Sequence, residues 1–427
     1  MSHKKRKKER AAARGQAREA SVHPVTPSTG SNSRARTLAI GALIFVACLA
    51  GGYFVTQQMF AKASQQPASS LASLPHPKVV EGDGVNGPKG MVWVPGGQFL
   101  MGSDHKLAKE NEKPAHKVDV NGFWMDRTHV TNSDFRRFID ATHYVTTAER
   151  KPDWETIKVQ VAPGTPRPPD SAMIAGAMVF VGTDAPVSLD DYSQWWRFVP
   201  GASWKHPQGP ASDIEGKDDH PVVQVSYEDV QAYAKWAGKR LPTEAEWEFA
   251  ARGGLEQATY AWGDEFKPGG RTMANTWDTG VRPFPVVSAK AGGAVGTSPV
   301  KTFPANGYGL YDMTGNAWQW VGDWYRFDYF KQQAGHGVID NPRGPAGSYD
   351  PEDRGVPPSA PKRVTRGGSF LCNVTYCLSY RPSARRGNDP FNPMSHIGFR
   401  LVMTPEQWKA GKLALAAAST NAAPAGK

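Results

Sequence analysis

Two cysteines that lie five positions apart, Cys372 and Cys377, are the residues whose type and spacing point most directly to chemistry. They stand in the segment GGSFLCNVTYC. Two thiolates are soft ligands that suit Cu(I), Zn²⁺ or iron–sulfur clusters, but a structural zinc site needs four ligands and the neighbouring sequence supplies no others. Cu(I) accepts two thiolates and leaves room for a third sulfur. A small disulfide loop and a redox-active dithiol fit the same spacing, so the spacing alone leaves three interpretations open.

The composition excludes two broad classes of protein. The chain has only three cysteines, and the third, Cys48, lies in an apolar run, whereas a small secreted domain held together by disulfides would contain more. The net charge of +10 does not indicate a nucleic-acid partner, because residues 1–36 contain ten Lys or Arg against two Glu and so hold most of it. The 44 Gly and 35 Pro predict a fold rich in turns and loops, which the 14 Trp can help to hold together.

The N-terminal region has the pattern of a membrane anchor. The run from Leu38 to Val55 contains no charged residue and has nearly the roughly 20 residues that a membrane-spanning helix needs. Basic residues precede the run, so we expect the N-terminus to stay in the cytoplasm and the remainder to be exported. A cleaved signal peptide is the alternative, but no clear cleavage site follows.

These patterns divide the chain into five parts. We predict a basic cytoplasmic tail (1–36), a transmembrane anchor (37–56), a linker (57–88), one folded domain (89–405) and an Ala-rich tail (406–427) that is disordered or a short frayed helix. The folded domain would lie outside the cytoplasm, in the periplasm if the source is bacterial.

The strands and helices that must position the cysteines are predicted to form an α+β domain. MVWVPGGQFLMGS (91–103) alternates apolar residues and predicts a strand, a turn and a strand. Three helices are legible in 131–142, 226–240 and 243–254, with Ser226 as a cap and with Thr243 and Glu246 as a capping box.

Longer blocks of the sequence resemble the formylglycine-generating enzyme (sulfatase-modifying factor) family. These are HPVVQVSYEDVQAYAKWAGKRLPTEAEWEFAARGG, FPANGYGLYDMTGNAWQWVGDWY and RVTRGGSFLCNVTYCLSYRPSARRGNDPFNPMSHIGFRLV, which occur in the family's order. The resemblance covers about residues 90–403. The WAGKRLPTEAEWE and GNAW blocks are shared across a wider superfamily, whereas the GGS-x-x-C-x4-C block is specific to the cysteine-oxidising branch.

The resemblance implies an irregular fold related to C-type lectins and a copper- and O2-dependent oxidation. The substrate would be the cysteine of a C-x-P-x-R motif in a sulfatase polypeptide, unfolded or newly exported, and the product Cα-formylglycine. By this match Cys372 and Cys377 bind Cu(I), with the substrate thiolate as third ligand, and Ser369 lies beside them. Trp318, Arg385 and Asn388 fall in blocks that line the family's cleft.

The resemblance also implies a calcium site and marks departures from the family. One Ca²⁺ would be bound at Asp312, Gly315, Ala317 and Gln319, since oxygen-rich ligands suit this ion. The family's structural disulfide positions are Ala234, Ala251, Pro382 and Leu401 here. The family's N-T-P-D-S run reads NDPFNPMS, which bears on the exact substrate motif.

Two other functions remain open at this stage. A protein of the same fold could modify or assemble another extracytoplasmic target, or it could be a non-catalytic, lectin-like binding module. The cysteine pair favours the enzyme, because a binding module has no need of two adjacent thiols in a domain that otherwise has none.

Overall fold

A computed structural model of the chain describes residues 78–288 and 295–421. The predicted basic tail and membrane anchor lie outside these ranges. Within the described residues, no helix combines the length and the apolar character that crossing a membrane requires.

The described backbone forms twelve short strands and six α-helices. The strands are β1 (Met91–Val94), β2 (Gly97–Met101), β3 (His116–Val120), β4 (Phe123–Asp126), β5 (Gly176–Phe180), β6 (Trp196–Pro200), β7 (Trp318–Trp324), β8 (Ile339–Asp340), β9 (Arg363–Arg366), β10 (Arg385–Asn388), β11 (Ile397–Phe399) and β12 (Val402–Met403). The helices are α1 (Asn132–Thr142), α2 (Trp154–Ile157), α3 (Tyr227–Trp236), α4 (Glu244–Arg252), α5 (Tyr329–Gln333) and α6 (Pro405–Asn421). Single 3-10 turns lie at Glu110–Glu112, Thr147–Glu149, Asp170–Ala172, Tyr192–Gln194 and Pro268–Gly270. The few short elements among long loops agree with the predicted irregular α+β architecture.

The three predicted helices are confirmed, together with the caps predicted for the second and third, and the first helix also has a side-chain cap. The side chain of Thr131 caps α1, that of Ser226 caps α3, and Thr243 and Glu246 form the predicted capping box of α4. Each cap satisfies backbone N–H groups that would otherwise lack partners at a helix N-terminus. Gly253, with a φ of 60°, ends α4 in the left-handed conformation.

The strands pair in an order that the sequence does not indicate. The sheets have the orders β1-β4-β12, β10-β9-β7-β11, β2-β3-β8 and β5-β6. The predicted strand–turn–strand at 91–103 is correct in its elements, but β1 and β2 enter different sheets. The four-stranded sheet matters most for the site, because β9 leads directly into the cysteine segment and β10 follows it.

One boundary differs from the predicted one, and the C-terminal tail forms a helix, which was one of its two predicted alternatives. Residues 78–88 were predicted to belong to the linker, yet Glu81 bridges Val92 and the N–H of Trp93 donates to the carbonyl of Val80 at 2.8 Å. This segment therefore belongs to the domain, through backbone hydrogen bonds that its Gly- and Pro-containing composition does not reveal. At the other end, α6 runs through the predicted tail to Asn421.

A buried ionic network fastens α4 to the sheet that holds the cysteine segment. Glu244 and Glu248 lie one turn apart on α4, so they face the same side. Arg366 of β9 pairs with both carboxylates, at 2.7 Å to Glu244 and 2.5 Å to Glu248, and Arg385 of β10 pairs with Glu244 at 2.6 Å. All four side chains are 0–1% exposed. Although burial raises it, the two arginines hold the pKa of Glu244 below its usual value. The network fixes β9 and β10 relative to α4.

Candidate active site

The turn after β9 brings the cysteine segment back against its own chain. Gly367 and Gly368 have φ values of 91° and 71°, which favour glycine strongly. A Cβ on Gly367 would lie 2.6 Å from the carbonyl oxygen of Met313, and one on Gly368 would lie 2.9 Å from the carbonyl carbon of Ser379. The double glycine of the GGS motif is therefore required by both backbone conformation and space.

Asn373 shapes the loop between the two cysteines. Its side-chain oxygen accepts hydrogen bonds from the N–H and hydroxyl of Thr375, at 2.9 and 2.6 Å, and from the N–H of Tyr376 at 3.0 Å. Its backbone oxygen accepts from the N–H groups of Cys377 and Leu378. The side chain is only 2% exposed, so Asn373 serves as a turn former, although the Asn-Val-Thr triplet has the sequence pattern of a glycan acceptor.

The sulfurs of Cys372 and Cys377 form a disulfide. Cys372 is 1% exposed and Cys377 is 7% exposed. The backbone N–H of Ser369 points at the sulfur of Cys372 at 3.5 Å, a contact that would favour the thiolate form of this cysteine after reduction. The pair is in the disulfide form here, and metal binding by the same sulfurs requires that the bridge first be reduced.

Both cysteines lie in the wall of a cleft of about 510 Å³. The cleft is lined by residues from widely separated parts of the chain: Lys109, Asn111, Trp196, Phe284, Trp318, Tyr325, Asp350, Glu352, Asp353, Ser369, Leu371, Cys372, Tyr376, Cys377, Arg386, Gly387, Asn388, Met394 and His396. This volume is of the size that binds small molecules or a few residues of a peptide.

The wall beside the cysteines is mainly aromatic. The ring of Tyr376, in the cysteine loop, stacks on Phe284 with centroids 4.8 Å apart and meets the edge of Trp195 at 5.7 Å. Trp196 lies against the imidazole of His396 at 4.7 Å. Burial lowers the pKa of His396 to about 3, so its ring is neutral at physiological pH. An extended apolar segment of a substrate would find van der Waals partners on this wall.

Of the predicted site residues, five line the cleft together: Cys372, Cys377, Ser369, Trp318 and Asn388. Arg385 was predicted to lie there and does not. Its guanidinium is 0% exposed, pairs with Glu244 and donates to the carbonyl of Arg326 at 2.9 Å. Since side chains alternate along a strand, Arg386 lines the cleft in its place.

The sequence interpretation missed most of the polar wall. Lys109 and the loop at Asp350–Asp353 come from parts of the chain that carry no recognisable motif. Among the missed residues, only Arg386 could have been predicted from the sequence, because it directly follows Arg385, which the resemblance had placed at the cleft.

The predicted calcium residues lie close together, and their oxygens are largely engaged. One carboxylate oxygen of Asp312 accepts from the backbone N–H of Lys301 at 2.9 Å. The carbonyl of Ala317 accepts from the imidazole Nε2 of His129 at 2.9 Å. Burial raises the pKa of Asp312, which is the disfavoured direction for a carboxylate that must be ionised to bind a metal.

Gln319 also has its hydrogen-bonding capacity filled. Its Oε1 accepts from Trp247 Nε1 at 2.8 Å and from Arg400 Nε at 2.7 Å, and its Nε2 donates to the carbonyl of Met313 at 3.0 Å. The fully buried Arg400 further donates to the carbonyls of Tyr311 and of Asp312. This set fits calcium only if some of these internal donors are displaced.

The cysteine pair, in contrast, fits the donor chemistry of copper once reduced. Two sulfurs within one short loop can bind a soft ion, and the adjoining cleft leaves space for a further ligand. Among the described residues, no group of three or more His, Cys, Asp or Glu side chains is arranged to hold a metal ion. A copper site here would use the two sulfurs, and the cleft has space for a further ligand beside them.

Comparisons with known proteins place this geometry in context. Residues 76–405 match the family model described as a sulfatase-modifying factor enzyme 1-like domain. The chain is 45% identical over 320 residues to a formylglycine-generating enzyme of Thermomonospora curvata, covering 74% of this chain and 94% of the relative. It is 46% identical over 316 residues to the enzyme of that name in Mycobacterium tuberculosis, covering 74% and 98%. It is 38% identical over 331 residues to the one in Bos taurus, covering 76% and 77%.

Proposed function

Because this chain belongs to the sulfatase-modifying factor family, we propose that it converts a cysteine of a sulfatase polypeptide to Cα-formylglycine. The relatives in Thermomonospora curvata, Mycobacterium tuberculosis and Bos taurus are named for this conversion. The observation that carries the proposal is the pair Cys372 and Cys377 in the wall of a cleft, next to Ser369.

Each part of the cleft has a role in this proposal. The aromatic wall binds the substrate segment and limits access of water to the reacting cysteine. The N–H of Ser369, 3.5 Å from the sulfur of Cys372, stabilises negative charge on that sulfur after reduction. The buried pairs of Arg366 and Arg385 with Glu244 keep the strands on either side of the cysteine segment in place.

We further propose that the oxidation depends on copper and O2. Conversion of a CH2SH group to CHO breaks the C–S bond, removes two electrons and releases the sulfur as H2S, so it needs an oxidant from outside the chain. O2 can accept these two electrons together with two more from the reductant, and is then reduced to water. Reduced Cys372 and Cys377 would hold a Cu(I) ion, which would supply a soft, redox-active centre with room for the substrate thiolate. The pair must be reduced before loading, which sets a requirement for a reductant in an oxidising compartment.

Calcium and membrane attachment complete the proposal. One calcium ion would bind at Asp312 with Gly315, Ala317 and Gln319, in exchange for hydrogen bonds that these residues now form. The apolar run from Leu38 to Val55 would anchor the chain, with the domain exported to meet newly exported sulfatases.

The direct test is conversion of a peptide. The full chain, treated with a reductant and loaded with copper, is incubated in air with a C-x-P-x-R peptide, and mass spectrometry follows the change from CH2SH to CHO. We expect conversion that stops when O2 is removed. Absence of the aldehyde under all copper and reductant conditions would contradict the proposed function.

Cys372→Ser and Cys377→Ser test the role of the pair. Each should abolish conversion and reduce bound copper to background. Loss of the disulfide should lower stability by no more than about 2 kcal/mol, because the loop that it closes is very short. Conversion by Cys377→Ser at the wild-type rate would refute the two-sulfur site, and a loss of stability without loss of conversion would favour a purely structural bridge.

A further inference from the structure

Lys109 and Arg386 form a pair of cations in the polar wall of the cleft. Both side chains line it, and after burial the positive charge of Arg386 is the largest influence that lowers the pKa of Lys109. Neither cationic group makes an ion pair with a carboxylate in the ranges 78–288 and 295–421. Like charges held close together without a counter-ion are unfavourable, and an anion bound between them would relieve that cost.

The neighbouring charges do not fill this role. Glu112 is already committed to Arg381, at 2.6 and 2.7 Å. Asp350 is bound to Lys362 at 2.7 Å, and Lys362 also pairs with Asp353. Glu112 and Asp350 are therefore each held by another cation, whereas Asp353 shares the single ammonium group of Lys362 with Asp350.

Glu352 is the remaining acidic residue of the cleft. It lies in an exposed loop and raises the pKa of Lys109 from a distance, without forming an ion pair with it. Lys109 is exposed as well, so solvent screens the attraction between these two side chains, and Glu352 eases the repulsion between the two cations only in part.

The position of Arg386 is set by the strand that holds it. On β10, Arg385 points into the buried network and the next side chain points to the cleft. Arg386 lines the same cleft as Tyr376, which lies in the loop between the two cysteines. The cation pair is thus part of the cleft next to the cysteine loop, where it can contact residues that flank a bound cysteine.

We propose that Lys109 and Arg386 form a subsite for the carboxylate of an acidic side chain in the substrate polypeptide. This inference rests on the proposed function, because it assumes that the cleft binds a polypeptide. A carboxylate between an ammonium and a guanidinium group receives charge-assisted hydrogen bonds from both, which are about twice as strong as those between neutral groups. The subsite makes the enzyme select for acidic residues near the modified cysteine.

A binding experiment with the full chain tests the subsite without depending on turnover. The probes are fluorescent peptides that contain S-x-P-x-R, so that they cannot be oxidised, with one Glu or one Gln placed in turn at each flanking position. We expect Glu at one position to bind roughly tenfold more tightly than Gln, a preference that 0.5 M salt weakens. No Glu preference at any position would overturn the proposal.

Variants assign the preference to the two cations. Arg386→Gln and Lys109→Gln should each remove most of it, and Arg386→Glu should favour a Lys peptide at the same position. Arg343→Gln removes an exposed arginine that lies outside this cleft and should leave the preference unchanged. A preference that survives in the Arg386→Gln, Lys109→Gln double variant would contradict the assignment.

The pH dependence separates this role from a structural one. Partial burial, and then the charges of Arg386 and Arg381, lower the pKa of Lys109 to about 8. The negative charges of Glu112 and Glu352 act in the opposite direction. The Glu preference should therefore fall as the pH rises through 8, while Lys109→Arg should keep it. An identical fall in that variant would refute the role of Lys109. A merely structural cation would lower thermal stability on removal, whereas Arg386→Gln should not.

Conversion assays distinguish failure of the subsite from failure of the proposed function. If C-x-P-x-R peptides with Glu and Gln are oxidised equally well, the subsite is wrong and the function stands. If no peptide is oxidised but the Glu preference in binding persists, the subsite stands and the reaction is wrong.

Discussion

Removal of the charge on Glu244 should be among the most destabilising changes in the domain. Its carboxylate receives three short hydrogen bonds, at 2.7 Å from Arg366 and at 2.6 and 2.7 Å from Arg385. In Glu244→Gln, Arg366 retains its pair with Glu248, but Arg385 loses the carboxylate that neutralises it. A buried charge left without its partner costs about 3–5 kcal/mol.

This free energy converts into a measurable change in melting temperature. A domain of about 330 residues has an unfolding entropy of roughly 0.7 kcal/mol/K. The expected loss is therefore about 4–7 °C in Tm, measured by thermal unfolding of the full chain. Glu110→Gln is the matched control, because Glu110 is 74% exposed in its pair with Lys113 and should cost less than about 1 kcal/mol.

A double variant tests the physical reason for the loss. Glu244→Gln combined with Arg385→Met removes both charges, so it should be more stable than the sum of the two single losses indicates. If the losses add, or if Glu244→Gln melts within 1 °C of wild type, an uncompensated buried arginine is not the cause. The pKa of Glu244 is depressed in the folded state, so its contribution is complete above the usual value of 4.5 and is lost as the pH falls through the lower folded value. The difference between wild type and Glu244→Gln should shrink over the same range.

Three further predictions concern the turn, the metal and the topology. Gly368→Ala should lower the free energy of unfolding by about 1–3 kcal/mol, because φ is 71° and the new Cβ would collide with Ser379. In the control Gly347→Ala, the new Cβ meets no atom within 4 Å, so this variant should be nearly neutral. Equal effects of the two substitutions on thermal unfolding would refute this reasoning. If calcium binds, Asp312→Ala should lower Tm more in calcium than in chelator. An equal loss in both would contradict the proposed calcium site. A reporter that is active only in the cytoplasm, fused after Lys427, should be silent, and an active fusion would disprove export.

Local signals predicted local structure well. Ser226 and Thr243 marked the starts of two helices, because a cap depends on residues only three positions apart, and the spacing of apolar residues identified the helix after Thr131. The resemblance also predicted that Ser369 lies beside the two cysteines, and its N–H is 3.5 Å from the sulfur of Cys372.

Long-range features could not be predicted in the same way. Lys109 and Arg386 line the same cleft although they are far apart in sequence, and neither sequence segment indicates that the two lie in one site. The choice between Arg385 and Arg386 depended on which face of β10 turns to α4, and that is fixed by pairing with β9. The spacing of Cys372 and Cys377 was equally compatible with a disulfide and a metal pair, because both need the same short distance between sulfurs.

The central strand of one sheet has a consequence for how the chain can be rearranged. β4 pairs on one side with β1, the first strand of the domain, and on the other with β12, the last. The Nζ of Lys412 also donates to the carbonyl of Val85 at 3.0 Å, so the two ends of the domain lie side by side. A short linker could therefore join them, and new termini could be opened in a surface loop away from the cleft. Such a circularly permuted domain would leave β1 and β12 on β4 and would move any fused anchor to a different face.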